Sequence, residues 1–194
     1  MLALRNKILG AVVFVFSLCA LQYFSELLEL NREQVLAGEL WRIWTGHLVH
    51  TNTLHMALDS LAALALYFAF FSTIKLSQLL VYSFVFAPLI SVSLLYFYPE
   101  LDWYNGLSGL LHGLVAYFSL RLIRNGETLY WIGLAGVWLK VAVETTRASL
   151  GYESLIGSML VISEAHLTGV FVGTVSALVG MVFWRAVDPV EREK

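Results

Sequence analysis

The chain has 194 residues, of which 59% are hydrophobic and only 13% are charged, and its formal net charge is −2. Soluble domains carry about 25% charged residues, so this composition excludes an ordinary soluble protein and indicates a membrane protein. The small negative net charge offers no basic face, so we expect no nucleic-acid partner. Cys19 is the one cysteine, which excludes an internal disulfide.

Six apolar stretches each come close to the roughly 20 residues that a membrane-spanning helix needs. The first resembles a signal peptide because Arg5 and Lys7 precede it, but the bulky residues 22–24 leave no small-residue cleavage site, so we predict a retained helix. The pattern predicts an all-α, polytopic membrane protein with a single domain. Its helices are predicted at about 8–24, 53–71, 76–97, 106–122, 129–147 and 163–186.

The lysines and arginines of the short loops predict the orientation of these helices. With a cytoplasmic N-terminus, eight of them fall on the cytoplasmic side and four on the outer side. Both termini are then cytoplasmic, and the second, fourth and sixth helices run inward from the outer side. These three helices begin near His50 and His55, Ser108, and His166 respectively, so we expect these side chains to lie at one depth in the outer half of the membrane.

The long segment between the first two helices mixes leucines with charged residues and contains Trp41 and Trp44. Tryptophan is enriched at membrane–water interfaces, and amphipathic segments bind there. We predict that residues 25–46 lie in the outer interface rather than forming a plain solvated loop.

Ser108 is a candidate nucleophile because it lies between glycines, in Gly106-Leu107-Ser108-Gly109, where a polar loop meets an apolar helix. His166 begins another apolar helix at the depth predicted for Ser108. A serine and a histidine inside a membrane indicate a serine hydrolase, since polar residues there are costly unless they have a function.

Small residues at four-residue spacing follow both candidates. They are Gly109 and Gly113 on the fourth helix and Gly169 and Gly173 on the sixth. Such spacing lets two membrane helices approach closely, which would bring the His166 imidazole within hydrogen-bond reach of the Ser108 hydroxyl. The alternative is that these glycines serve packing alone.

Acyl transfer needs donors aimed at the developing oxyanion, and the Ser108 backbone N–H and the His55 side chain could supply them. His55 and Asp59 share a helix face at i,i+4 spacing. Asp59 is either protonated and a donor or, as we favour, charged and an acceptor for His55. A single histidine can also be purely structural, and we assign His47 to that class.

Together, Trp41-Arg42, His50, His55, the Gly106–Gly109 motif and Ala165-His166 with its following glycines resemble the rhomboid intramembrane serine proteases over residues 41–180. The resemblance implies a six-helix bundle that cleaves membrane-anchored proteins without a cofactor or metal. It implies Ser108 as nucleophile and His166 as general base, with His55 and the Ser108 N–H as the oxyanion hole. His50 would brace the site, and Arg42 would hold the outer loop.

Two residues depart from the usual rhomboid pattern, since most members have Asn at the position of Asp59 and many have Tyr at that of His112. With residues 106–113 and Glu164-Ala165-His166-Leu167, these departures resemble the bacterial rhombosortases. That resemblance implies an inner-membrane enzyme with its active site toward the periplasm. Its substrates would carry a C-terminal Gly-Gly motif, a membrane helix and a basic tail.

Several alternatives remain open at the level of sequence. His112, at i+4 from Ser108, could be the base, although with His166 as base it would stack against that ring. We expect Lys140, Glu144 and Arg147 to pair with one another and with lipid headgroups. The whole chain could instead be an inactive rhomboid-like protein that binds membrane helices. Less favoured is a metal protein that uses the five histidines, because no HExxH pattern occurs.

Overall fold

The computed structural model describes residues 2–70, 74–151, 155–156, 159–160 and 162–187. Its helices are α1 Leu2–Gln22, α2 Ser25–Leu28, α3 Arg32–Leu36, α4 Arg42–Thr45, α5 Thr53–Ala65, α6 Leu76–Phe97, α7 Ser108–Arg124, α8 Tyr130–Ser149 and α9 Ser163–Val187. A 3₁₀ turn, Gly46–Leu48, follows α4, and a π-helical turn, Leu66–Phe70, continues α5. Two short antiparallel pairs join β1 Leu30–Asn31 to β2 Trp103–Tyr104 and β3 Leu155–Ile156 to β4 Met159–Leu160.

The long helices α1, α5, α6, α7, α8 and α9 lie on the six apolar stretches of the sequence. Within the described residues, three segments are long and apolar enough to cross a membrane: Arg5–Gln22, Leu76–Phe97 and Ser163–Val182. The helix over Thr53–Phe68 is apolar but shorter. The bundle is thus a helical membrane fold, and the count of six crossings stays a prediction.

Helix α7 lies at the centre of the bundle, packed against α6, α8 and α9. Most of its residues are buried, including both glycines of its small-residue stripe. A methyl group added to Gly169 of α9 would lie 2.0 Å from the carbonyl oxygen of Gly109, and one on Gly173 would lie 2.1 Å from that of Gly113. The two backbones therefore touch where the sequence predicts a close approach.

The segment between α1 and α5, residues 23–52, folds against α6 and the residues that follow it. Arg42 is buried and donates from Nη1 to the carbonyl oxygens of Glu26 and Glu29, at 3.0 and 2.8 Å, and from Nε to the Glu39 carboxylate. Arg32 donates to the last carbonyls of α6 and the residues after it, including that of Leu95 at 2.8 Å. These hydrogen bonds agree with the role expected for Arg42 and add Arg32, which the sequence did not indicate.

His47 is structural, as the sequence analysis expected. Its ring is fully buried, and Nε2 donates to the carbonyl oxygen of Ala87 at 3.0 Å, with Ser91 Oγ at 3.1 Å. Burial lowers the pKa of His47 to about 4, so the ring is neutral at physiological pH. This contact fastens the segment between α1 and α5 to α6.

We predict that Gly169→Ala will lower the free energy of unfolding by roughly 1–3 kcal/mol, because the added methyl overlaps backbone and the two helices must separate. Gly180→Ala on the same helix is the matched control, since a methyl group there has nothing within 4 Å. It should be neutral or stabilising by up to about 1 kcal/mol, as expected for Gly→Ala inside a helix. Unfolding in mixed micelles measures both, and equal effects would contradict the close contact.

Candidate active site

Ser108 and His166 lie in direct hydrogen-bond contact. Ser108 is the first residue of α7, and His166 is in the first turn of α9. The Nε2 atom of His166 is 2.8 Å from Ser108 Oγ, and the imidazole is almost completely buried. The geometry therefore allows the imidazole to accept the hydroxyl proton.

The turn before Ser108 depends on Gly106, whose φ is +125°. A Cβ at this position would also lie 2.8 Å from Cε1 of His55, so the glycine provides both the backbone conformation and the space. The Gly106 carbonyl accepts a hydrogen bond of 2.6 Å from the buried Tyr104 hydroxyl, and its N–H donates to the Gly46 carbonyl at 3.1 Å. The loop that presents Ser108 is thus held on both sides.

His166 makes a second contact that the sequence analysis missed. Its Nδ1 atom is 2.8 Å from Oε2 of Glu144 on α8. The other oxygen of Glu144 accepts a hydrogen bond of 2.6 Å from Lys140, whose Nζ is 3.4 Å from the same Nδ1. The expected pairing of Lys140 with Glu144 is therefore present, but Glu144 also faces the histidine. The sequence signal for this contact was the pair Lys140 and Glu144, which lie at i,i+4 spacing within an apolar helix.

His112 stacks on His166, as expected if His166 is the base. The ring centroids are 4.3 Å apart and the planes differ by 17°. The hydrogen bond of His112 runs from Nδ1 to the Ser108 carbonyl oxygen, at 2.7 Å, and not to the Ser108 hydroxyl. The geometry thus favours His166 over His112 as the partner of Oγ.

Asp59 makes two hydrogen bonds that the sequence analysis did not predict. Its Oδ2 accepts hydrogen bonds from the backbone N–H groups of Leu107, at 2.8 Å, and Ser108, at 3.1 Å. The Ser108 N–H expected to face the oxyanion is therefore occupied by a carboxylate. A carboxylate is favoured at this position because the N-terminus of α7 offers unpaired N–H groups and the positive end of the helix dipole.

The expected partner of Asp59, His55, is also close to the same oxygen. His55 Nε2 is 3.4 Å and His50 Nε2 is 3.3 Å from Oδ2. The two imidazoles meet edge to face at 5.1 Å, and the main chain of His50 exchanges two hydrogen bonds with the Gln22 side chain. His50 thus lies where a brace for the site was expected, and the end of α1 supports it.

A small polar cavity adjoins Ser108 and His166. Its volume is about 20 Å³, which is room for one water molecule. It is lined by Thr51, His55, Trp103, Tyr104, Asn105, Ser108, Ile162 and His166. In the described part of the chain, no group of three or more His, Cys, Asp or Glu side chains is arranged to hold a metal ion.

The chain matches a known protein family over most of its length. A family model described as Rhomboid domain matches residues 37–183, which is more than half of the chain and includes Ser108, Glu144 and His166. No individually curated protein matches the chain.

We predict that Asp59→Ala will lower the free energy of unfolding by roughly 1–3 kcal/mol, because two buried N–H groups lose their acceptor. Asp59→Asn should cost less, since its amide oxygen can still accept. Asp102→Ala, which removes an exposed carboxylate from the neighbouring loop, is the control and should change little. If Asp59→Ala were no worse than Asp102→Ala, the carboxylate would not be fixing the start of α7.

Proposed function

Because the chain belongs to the rhomboid family of multi-pass membrane proteins, we propose that it is an intramembrane serine endopeptidase with Ser108 as nucleophile and His166 as general base. The observation that carries the proposal is the 2.8 Å contact between Ser108 Oγ and His166 Nε2. Both groups lie at the start of helices, beside a cavity that has room for one water molecule.

The reaction proceeds by acyl transfer. Ser108 Oγ attacks the carbonyl carbon of the scissile peptide while its proton passes to His166 Nε2. The imidazolium then protonates the leaving amine, and the acyl-enzyme remains on Ser108. A water molecule activated by the same imidazole resolves it, and the cavity beside Oγ has room for that molecule.

The tetrahedral intermediate needs donors for its oxyanion, and these converge on Asp59 Oδ2 in the resting protein. The Ser108 N–H and His55 Nε2 lie 3.1 and 3.4 Å from that oxygen. The oxyanion would take the place that Oδ2 fills, so Asp59 has to turn aside when substrate binds. His50 Nε2, which lies 3.3 Å from Oδ2 in the resting protein, is a second donor for the displaced carboxylate.

The proposed substrates are membrane-anchored proteins with a rhombosortase-type signal, namely Gly-Gly, a membrane helix and a basic tail. The Asp59 and His112 departures support this subgroup. The small cavity supports it as well, because a glycine at the scissile bond needs no side-chain space. The six long helices of the proposed enzyme would cross a bacterial inner membrane, with both termini in the cytoplasm and Ser108 toward the periplasm.

A second candidate is an inactive rhomboid-like protein that binds membrane helices without cleaving them. The observation that favours it is the carboxylate of Asp59 on the Ser108 N–H, because a negative charge there opposes an oxyanion. The retained contact between Ser108 and His166 favours the enzyme instead.

We predict that a fluorophosphonate probe will label the purified protein at Ser108. Ser108→Ala should abolish both labelling and cleavage of a reporter that ends in Gly-Gly, an apolar helix and an Arg-rich tail. Ser93→Ala is the matched control, because its hydroxyl bonds to the Leu89 carbonyl of its own helix. Unchanged labelling of Ser108→Ala would refute the nucleophile, and complete absence of labelling in the parent protein would favour the inactive alternative.

We predict that His166→Ala will lower the rate of labelling about 10²–10⁴-fold, which is the usual contribution of a general base. His112→Tyr should retain most of the rate, because a tyrosine ring can still stack on His166. Rates of probe incorporation in detergent compare the two variants. The reverse ranking would exchange the roles of the two histidines.

A further inference from the structure

We propose that Glu144 is a positioning residue that completes a Ser108–His166–Glu144 triad, an inference that rests on the proposed function. Both ring nitrogens of His166 are engaged, each at 2.8 Å: Nε2 by Ser108 Oγ and Nδ1 by Glu144 Oε2. A carboxylate only accepts, so it selects the tautomer with the proton on Nδ1. Nε2 is then left with a free lone pair directed at the hydroxyl.

The carboxylate of Glu144 is held in place from its other side. Its two oxygens have different partners, with Oε1 bound to Lys140 Nζ at 2.6 Å and Oε2 to His166. The Glu144 side chain is 17% exposed, whereas that of Lys140 is 47% exposed. Lysine therefore supplies a counter-ion from the more open side, and glutamate carries the interaction inward to the buried imidazole.

The remaining groups around His166 leave Nδ1 to Glu144. His112 covers one face of the ring, and its own hydrogen bond goes to the Ser108 carbonyl. His55 of α5 lines the same cavity as His166, but its Nε2 lies 3.4 Å from Asp59 Oδ2. Among the described groups near Nδ1, Lys140 is 3.4 Å away and offers only donors, so Glu144 is the acceptor.

The proposed effect appears in the chemical step. When His166 takes the Ser108 proton, a positive charge forms on the ring 2.8 Å from a carboxylate that is already in place. The fixed pair stabilises this charge without reorganising at the moment of reaction. In soluble serine proteases, neutralising the equivalent acid lowers kcat by about 10⁴-fold.

The test compares Glu144→Gln, Glu144→Asp and Glu33→Gln by the kinetics of fluorophosphonate inactivation. We expect Glu144→Gln to lower the maximal inactivation rate about 10²–10⁴-fold with little change in the half-saturating probe concentration. Glu144→Asp keeps the charge on a shorter side chain and should recover at least about tenfold of that loss. Glu33→Gln removes an exposed glutamate from α3 and should match the parent protein.

A double variant separates positioning from a structural role. If Glu144 acts through His166, Glu144→Gln should cause no further loss in a His166→Ala background, because groups that act as a unit are not additive. An equal loss in both backgrounds, or full activity of Glu144→Gln, would overturn the triad. Full activity of Glu144→Gln beside an inactive Ser108→Ala would leave the proposed function intact, whereas an active Ser108→Ala would remove both.

Discussion

The contact between the glycine stripes of α7 and α9 is the constraint on which the site depends. Gly169 and Gly173 face the backbone of Gly109 and Gly113 with no room for a methyl group. Ser108 immediately precedes the stripe on α7, and His166 lies three residues before the stripe on α9. The close approach that packs the two helices therefore also sets the distance between the hydroxyl and the imidazole. Membrane helices lack a hydrophobic drive to associate, which makes this backbone fit the more important.

Around that contact, Arg42, Asp59 and Glu144 each have fixed hydrogen-bond partners. Arg42 donates to main-chain carbonyls of the segment between α1 and α5. Asp59 accepts hydrogen bonds from the N–H groups at the start of α7, and Glu144 lies between Lys140 and His166. A charge without a partner at these depths would be expensive. The polar residues therefore bind loop to helix and helix to helix, as apolar packing does elsewhere in the bundle.

Residue spacing and the family resemblance predicted part of the site. The glycine spacing indicated the α7–α9 approach, and the choice of His166 as the base implied that His112 stacks on it. Two other contacts between separate helices were not predicted. The rotation of α8 that turns Glu144 toward His166 and the reach of Asp59 to the Ser108 N–H both depend on how helices pack. The sequence analysis instead paired Glu144 with Lys140, Arg147 and lipid headgroups, and it assigned the Ser108 N–H to the oxyanion.

The attachment of Glu144 to α8 has a mechanical consequence. α8 packs on α7 and α9, and its Glu144 is hydrogen-bonded to His166 of α9. Any sideways displacement of α8 that admits a substrate helix would carry the carboxylate away from the imidazole and break the 2.8 Å contact. A substrate helix could then not enter beside α8 while Glu144 still holds His166 for the reaction. In the proposed enzyme, the bundle would then have to close again around the substrate helix before His166 activates the Ser108 hydroxyl, and this requirement would protect other membrane proteins from cleavage.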